Sequence, residues 1–147
     1  MKPKQDSLPF KKAQKKGVEI FIDGAARGNP GESGIGVFII DENGGTREIK
    51  KYLGTRTNNQ AEYTALITAL QSAKEHSKKS IQIYTDSLLL ANQINGVWKV
   101  KNPEIAVLNK EAKKLLKAYR ETSISHIPRE RNKEADRLAN LAIDEYL

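Results

Sequence analysis

The order of strand-like and helix-like segments along the chain constrains its fold more than any other feature. The spacing of apolar residues distinguishes the two kinds of segment. Apolar and polar residues alternate, as in β-strands, in residues 18–23, 34–40, 46–53, 81–86 and 123–127. Apolar residues recur at helical spacing in residues 57–73, 87–95, 102–119 and 132–142. The order is three strands, a helix, a strand, two helices, a strand and a helix, which predicts an α/β fold with a mixed sheet and helices on its faces.

Turn signals predict how the strands are connected. The segment Asn29-Pro30-Gly31 and the hairpin signal Asn43-Gly44-Gly45 separate the first three strands, which we expect to form an antiparallel meander. The strand at 81–86 is reached through a helix, so it should lie beside the first strand and parallel to it.

Polar residues mark the expected helix starts. Thr57-Asn58-Asn59 offers caps for the long helix, Asn102-Pro103 opens another helix, and Asn132 is predicted to cap the last one. Gly96 should close the short helix that begins at Ser87.

Length and composition exclude several classes of protein. A chain of 147 residues is about one domain long. It has no cysteine, so disulfides, zinc–thiolate sites and thiol catalysis are excluded, and a metal would have to be held by oxygen or imidazole. No apolar run approaches the roughly 20 residues of a membrane span, and the amino terminus lacks a secretory apolar stretch. We therefore expect a cytoplasmic protein without a membrane partner.

Positive charge is concentrated at the amino terminus. The first sixteen residues hold six lysines and one aspartate, a net +5, which leaves only +2 of the formal +7 for the rest of the chain. We predict a basic, disordered arm over residues 1–17 and a catalytic domain over residues 18–147. The arm could attract phosphate backbones, or it could only aid solubility.

Four acidic residues are the candidate site. Asp23 and Asp86 fall at the carboxyl ends of two strands predicted to be neighbours, where open sheets bind ligands. Glu62 stands in the first turn of the long helix and Asp136 near the start of the last helix. Carboxylates that meet in this way require a cation or a shared proton. Mg²⁺ and Mn²⁺ prefer oxygen ligands, and two such ions about 4 Å apart suit phosphodiester hydrolysis.

Each acid also has a purely structural interpretation. Asp23 and Asp86 could end strands and begin turns. Glu62 lies three residues after Asn59, as the acid of a capping box does, and Asp136 could complement a helix dipole. The metal site is favoured over four independent structural roles, because the predicted topology brings these acids from four separate segments to one edge of the sheet. Spacing alone does not identify the reaction.

Four motifs resemble the type 1 ribonuclease H family over nearly all of residues 18–147. They occur in the family's order and are Asp23-Gly24-Ala25-Ala26-Arg27-Gly28-Asn29-Pro30-Gly31, Thr57-Asn58-Asn59-Gln60-Ala61-Glu62, Tyr84-Thr85-Asp86-Ser87 and Asn132-Lys133-Glu134-Ala135-Asp136-Arg137-Leu138-Ala139.

The resemblance implies a ribonuclease H-like sheet of five strands, three antiparallel and two parallel. It also implies endonucleolytic hydrolysis of the RNA strand of RNA/DNA hybrids, leaving 5′-phosphate and 3′-hydroxyl ends. By the matched motifs, the metal-binding acids are Asp23, Glu62, Asp86 and Asp136. They would hold two Mg²⁺ ions, replaceable by Mn²⁺, one to activate water and one to stabilise the leaving oxygen, with Asp23 bridging both. We expect a monomer without a small-molecule cofactor.

Two histidines have different interpretations. Family members use a mobile histidine near the last acid, and His126, ten residues before Asp136, is the candidate for this catalytic role. It could equally be a packed histidine at the end of a strand. His76, near a helix end, is interpreted as structural.

The remaining motif residues are candidate contacts to the hybrid. The glycines around Gly28 lack the spacing of a Walker motif, so we interpret them as a tight turn that lets a nucleic-acid backbone approach. Asparagine can both donate and accept, and can therefore read a 2′-hydroxyl; turn formation and helix capping are the structural alternatives. The predicted substrate-binding residues are Gly24, Arg27, Gly28, Asn29, Asn58, Asn59 and Ser87.

The chain departs from parts of the family pattern. Leu88 stands where a polar contact residue occurs in some members. Many members carry a long basic protrusion where residues 95–103 supply only Trp98, Lys99 and Lys101. Affinity for the hybrid could therefore be weaker or be carried elsewhere, with the lysine-rich arm as one candidate.

Two rival functions remain open. One is a non-catalytic module that binds hybrid or duplex RNA, although the presence of all four acids argues against it. The other is a nuclease of the same broad fold that acts on DNA junctions or trims ends as an exonuclease. The asparagine-rich segments favour RNA/DNA hybrid instead.

Overall fold

A five-stranded mixed sheet forms the centre of the computed structural model, which describes residues 17–147. In chain order its strands are β1 (Val18–Gly28), β2 (Gly31–Ile40), β3 (Thr46–Arg56), β4 (Ser80–Thr85) and β5 (Glu121–His126). Their spatial order is β3-β2-β1-β4-β5. The strands β1, β2 and β3 pair antiparallel, and β4 and β5 are added in parallel. The predicted sheet is confirmed.

Four α-helices accompany the sheet in the described part of the chain. They are α1 (Asn58–Ser72), α2 (Leu88–Ile94), α3 (Pro103–Leu116) and α4 (Lys133–Tyr146). The helix α1 packs on β1 and β2, α3 packs on α1, and α4 packs on β1, β2 and β3. None of these helices is both long and apolar enough to cross a bilayer.

The two faces of β1 and β2 meet different helices. Ile20, Ile22 and Val37 are fully buried in a core that includes Leu66 and Leu70 of α1. The opposite face of β2 carries glycines at the positions where α4 lies closest, as described below. Burying a large aliphatic side chain contributes about 1.5–3 kcal/mol, so the predicted apolar stripe of α1 is enough to fix it on this face.

The strand β1 is longer than the sequence predicted. Asp23 was expected at its carboxyl end, but the strand continues to Gly28 because β2 pairs with it as far as Gly31. Only the parallel pairing with β4 stops early, at Ile22 opposite Thr85. Asp23 therefore lies where β1 loses its neighbour on one side, and not where the strand ends.

The starts of α1 and α4 also differ from expectation. Thr57 caps α1 through a capping box with Gln60, so Asn58 and Asn59 are helical residues and not caps. Glu62 consequently has no capping role. Asn132 does precede α4, but its side chain makes no cap hydrogen bond. Its Nδ2 donates instead to the Ile22 carbonyl at 2.9 Å.

The bounds of the remaining elements differ from the predicted segments by a few residues. The strands β2, β3 and β5 begin or end up to three residues beyond the predicted segments, because backbone pairing continues past the last alternating side chain. The starts of α2 after Ser87 and of α3 after Asn102 are confirmed. The arm predicted over residues 1–17 falls, except for Gly17, outside the described residues.

Candidate active site

Adjacent parallel strands bring Asp23 and Asp86 together. Phe21 pairs with Tyr84 and Ile22 with Thr85, so Asp23 and Asp86 directly follow two residues that are paired with each other. The chain leaves the sheet after Thr85, and the Thr85 side chain accepts a hydrogen bond from the Ser87 backbone N–H at 3.0 Å. Asp23 is 4 % exposed and Asp86 is half-buried. Two carboxylates thus face each other at one edge of the sheet.

Glu62 reaches the same edge because Gly24 has no side chain. A Cβ on Gly24 would lie 2.3 Å from the carbonyl carbon of Ala61 and 2.5 Å from the backbone nitrogen of Glu62. The first turns of α1 can therefore rest directly on β1. The Gly24 N–H donates to Oε1 of Glu62 at 3.0 Å and orients the carboxylate. Gly24, predicted as a substrate contact, is thus also the residue that admits the helix.

These three acids form a tight, largely buried cluster. One carboxylate oxygen from each of Asp23, Glu62 and Asp86 lies within 4.8 Å of the other two. Burial, followed by the charges of Glu62 and Asp86, raises the pKa of Asp23 well above its usual range. Burial, followed by the charge of Asp86, also raises the pKa of Glu62, although the Gly24 N–H opposes this shift. Ionising all three carboxyls at once is therefore unfavourable unless a cation lies among them.

Asp136 approaches the cluster from α4. Its carboxyl contributes to the raised pKa of Asp23 through a hydrogen bond and through its charge. Glycine in β2 permits this approach, since a Cβ on Gly36, the register partner of Asp23, would lie 2.2 Å from the Ala135 carbonyl oxygen. Nη2 of Arg129 lies 3.5 Å from Oδ1 of Asp136. The sheet and the helices on its two faces therefore all contribute carboxylates to one group of acids.

This set fits a hard divalent cation. All of the donors are carboxylate oxygens, which Mg²⁺ and Mn²⁺ prefer, and three of them are close enough to share one ion. Burial and, after it, repulsion between the carboxylates raise the pKa values of Asp23 and Glu62, and a bound cation would favour the ionised forms. These acids could therefore hold a cation that polarises a phosphate.

A cleft with a volume of about 450 Å³ surrounds the acids. It contains all four of them together with four of the predicted substrate-binding residues, namely Gly24, Arg27, Asn58 and Ser87. Ser87 also caps α2, because its hydroxyl accepts from the Leu90 N–H at 3.1 Å. The four acids and these four residues are brought together by the fold, and their roles in binding remain predictions.

The other three predicted contacts lie beside the cleft and outside its lining. Gly28 has a φ of 108°, which favours glycine, and it begins the turn between β1 and β2. Oδ1 of Asn29 accepts from the Asn58 N–H at 3.0 Å and so ties this turn to the start of α1. Asn59 follows Asn58 on the helix. The turn and the helix start therefore form one continuous surface next to the acids.

The histidines differ from one another in position. His126 ends β5 opposite Thr85, one residue before Asp86 on the neighbouring strand, and its side chain is exposed and outside the cleft lining. His126 therefore does end a strand, as the structural interpretation expected, but it is exposed and not packed, and its catalytic role stays a prediction. His76 lies 3.5 Å from Glu75 with a 13 % exposed side chain, in keeping with a structural role.

Two polar residues of the cleft were missed in the sequence. Arg129 lines the cleft from a short 3₁₀ turn, and no periodicity points to it. Asn140 lines it from α4, four residues after Asp136. That spacing places the two residues on one helix face, so it could have identified Asn140.

Comparison with known proteins supports the same family. Residues 21–142 match the model of the family described as reverse transcriptase-like. Ribonuclease HI of Halobacterium salinarum is 40 % identical over 129 residues, which cover 87 % of this chain and 65 % of that protein. The chain thus spans slightly less than two thirds of the length of this relative. Ribonuclease H of Clostridium botulinum is 36 % identical over 153 residues, covering 89 % of this chain and 98 % of that protein.

Solved structures agree with the sequence comparison. The crystal structure of RNase H1 from Halobacterium salinarum superimposes with a TM-score of 0.83 at 40 % identity, over 87 % of this chain and 98 % of that chain. The structure of LC11-RNase H1 in complex with RNA/DNA hybrid gives the same TM-score and identity, over 88 % of this chain and 98 % of that chain. With a matching family model, relatives at 36 % and 40 % identity and a shared fold, this chain belongs to the type 1 ribonuclease H family.

Proposed function

We propose that this protein is a divalent-metal-dependent endonuclease that hydrolyses the RNA strand of RNA/DNA hybrids. The observation that carries the proposal is the convergence of Asp23, Glu62, Asp86 and Asp136 in one cleft, from β1, β4, α1 and α4. Relatives named ribonuclease H, one of them solved with an RNA/DNA hybrid, support the choice of substrate.

The four acids would hold the metal. Asp23 has a central place among them, because it clusters with Glu62 and Asp86 while its register partner Gly36 lies against the turn of α4 that carries Asp136. We propose two Mg²⁺ ions, replaceable by Mn²⁺, with Asp23 shared between them. When bound, such ions supply a water nucleophile at neutral pH and stabilise charge on the leaving 3′ oxygen, which gives 5′-phosphate and 3′-hydroxyl products.

The protein's own side chains orient the substrate and complete the charge balance. Arg129 lies in the cleft beside Asp136 and can contact a phosphate oxygen next to the scissile bond. Asn58, with its backbone fixed by Asn29, presents its amide on the wall of the cleft. An amide can donate to and accept from a 2′-hydroxyl, which DNA lacks. Recognition of RNA would thus come from the surface next to the acids.

A cleavage assay tests this proposal. The protein is incubated with Mg²⁺ and uniformly labelled RNA/DNA hybrid, duplex DNA or duplex RNA. We expect internal cuts in the RNA of the hybrid alone. Asp86→Asn should abolish them, because this change removes one of the three clustered carboxylates with almost no change in shape.

Glu111→Gln is the matched control, since Glu111 is exposed on α3 and the change also removes one negative charge. This variant should cleave as the wild type does. Hybrid binding without cleavage by the wild type would instead identify a non-catalytic module. Cleavage of duplex DNA, or digestion from the ends alone, would identify a different nuclease of the same fold.

A further inference from the structure

Asn140 makes a chain of hydrogen bonds that ends on Asp136, a partly exposed acid of the site. It lies one helical turn after Asp136 on α4, and the Asp136 side chain is 32 % exposed. The Nδ2 of Asn140 donates to Oδ1 of Asp136 at 3.3 Å and to the Asp136 carbonyl at 3.0 Å. The Oδ1 of Asn140 accepts from Nη2 of Arg27 at 3.2 Å.

These partners determine which way the amide points. The guanidinium of Arg27 can only donate, and an ionised Asp136 can only accept. Reversing the amide would place its oxygen against the Asp136 oxygens and its NH₂ group against Arg27. The observed orientation is therefore the one that satisfies both charged neighbours.

Arg27 is itself held by α4. Its Nη1 lies 2.7 Å from Oδ1 of Asp144, and its Nη2 also donates to the Asn140 carbonyl at 3.3 Å. The backbone of Arg27 belongs to the last residues of β1, before the turn that contacts Asn58. The guanidinium that we predicted to bind substrate is thus engaged in joining the end of β1 to α4.

Helix stability does not explain an asparagine at this position. Asn140 is in the interior of α4, where asparagine is a weaker helix former than alanine. A side chain that bonds back to the carbonyl four residues earlier adds little to the helix and can bend it. The contacts to Asp136 and Arg27 are what distinguish asparagine from a better helix former here.

We propose that Asn140 is a positioning residue, which holds the Asp136 carboxylate in the orientation needed for the metal and is itself oriented by Arg27. This inference rests on the proposed function, because it assigns Asp136 to a cation. Asp136 is one-third exposed, so burial does not hold its side chain as it holds those of Asp23 and Glu62, and a hydrogen-bond partner is what can fix its orientation. Hydrogen bonds to a ligating carboxylate reduce the entropy lost when the metal binds.

Asn140→Ala tests the proposal through metal affinity as well as activity. Titration calorimetry with Mn²⁺ should show affinity about tenfold weaker than that of the wild type. The free energy of unfolding of the metal-free protein should be unchanged or slightly higher, because alanine favours the helix. In hybrid cleavage, kcat at limiting metal should fall and recover at saturating metal, while KM for the hybrid stays the same.

Glu145→Ala is the matched control on the same helix, since Glu145 pairs only with Lys50 among the described residues, on β3, and lies outside the cleft. It should leave Mn²⁺ affinity unchanged. Arg27→Ala should weaken Mn²⁺ binding in the same direction as Asn140→Ala but less, because the Asn140–Asp136 contact is retained.

Wild-type affinity for Mn²⁺ in Asn140→Ala would overturn the proposal, and so would an increase in KM alone, which would make Asn140 a substrate contact. A wild-type protein that binds no Mn²⁺ would overturn it as well. Failure of the proposed function has a different signature: the wild type would bind Mn²⁺, with weaker binding in Asn140→Ala, and yet cleave no hybrid.

Discussion

The side chain of Glu62 shows how the site is built at the scale of single residues. It is 5 % exposed, one of its oxygens accepts from the Gly24 N–H, and its nearest charged neighbours include Asp86. Burial and repulsion raise the pKa of this carboxyl, so ionising it without a cation destabilises the fold. The same repulsion becomes attraction for a divalent ion. The buried acid at this position therefore lowers the free energy of unfolding of the metal-free protein but allows the protein to bind metal.

Glu62→Gln should therefore stabilise the metal-free protein and abolish cleavage. The amide keeps an acceptor for the Gly24 N–H but removes the charge. We expect the free energy of unfolding, measured by urea denaturation in a chelator at mildly alkaline pH, to rise by about 1–2 kcal/mol. Excess Mg²⁺ should stabilise the wild type more than the variant. A less stable variant in chelator would contradict this account.

The pH dependence of stability follows from the same shifts. Burial, followed by repulsion, raises the pKa values of Asp23 and Glu62 in the folded state. At pH values between the unfolded-state and the folded-state pKa values of these two carboxyls, the folded protein therefore binds more protons than the unfolded chain. In chelator, the free energy of unfolding should fall as pH rises above about 4, the pKa of an unfolded carboxyl. Saturating Mg²⁺ should reduce this fall, since the ion binds the ionised acids. Parallel pH profiles with and without Mg²⁺ would contradict the assignment.

At the scale of elements, glycines determine how closely the helices approach the sheet. Gly24 admits α1, and Gly34 and Gly36 admit α4, where a Cβ would lie 2.6 Å from the Ala139 carbonyl oxygen and 2.2 Å from the Ala135 carbonyl oxygen. The second contact is the more important for function, because Ala135 precedes Asp136 and Gly36 pairs with Asp23. The distance between these two acids depends on it.

Gly36→Ala should displace α4 and with it Asp136. Backbone atoms of a helix cannot yield as a flexible side chain does, so we expect a loss of about 1–3 kcal/mol in the free energy of unfolding. Activity should fall more than the unfolded fraction explains. Gly45→Ala is the matched control, because its Cβ would meet only the carboxyl end of Asp41, and it should have little effect on cleavage. Equal losses of activity in the two variants would contradict this role for Gly36.

The elements were predictable because their signals are local, whereas contacts between elements were not. Alternation in residues 18–23 and 81–86 predicted two adjacent parallel strands and hence the meeting of Asp23 with Asp86. The length of β1 depends on its partner β2, and the hydrogen bond from Asn132 to the Ile22 carbonyl spans 110 residues. Gly36 looks in the sequence like any other strand glycine. Its importance appears only with α4 packed against it.

At the scale of the whole molecule, charge is divided unevenly between the amino-terminal residues and the rest of the chain. Residues 1–16 carry a net +5, and the remaining +2 belongs to a unit whose cleft is lined by four acids. The segment between α2 and α3 is short and exposes Trp98, 44 % accessible, with few basic residues. Attraction of a polyanion at long range would then depend mainly on the amino-terminal lysines.

Deletion of residues 1–16 should raise KM for the hybrid at low salt and leave kcat unchanged. The effect should diminish as salt increases, because the attraction is one of lysines to phosphates. Replacing the six lysines of this segment by glutamine keeps its length and should have the same effect as deletion. A KM that is unaffected at low salt would show that the segment takes no part in binding.

The central claim is that Asp23, Glu62 and Asp86, with Asp136 beside them, form a site for a divalent cation. Anomalous X-ray scattering from crystals of this protein grown with Mn²⁺ tests it directly. We predict an anomalous peak within bonding distance of carboxylate oxygens of Asp23, Glu62 and Asp86, which is absent from crystals of Asp86→Asn. Well-ordered carboxylates without such a peak, or Mn²⁺ bound only elsewhere on the surface, would contradict the account.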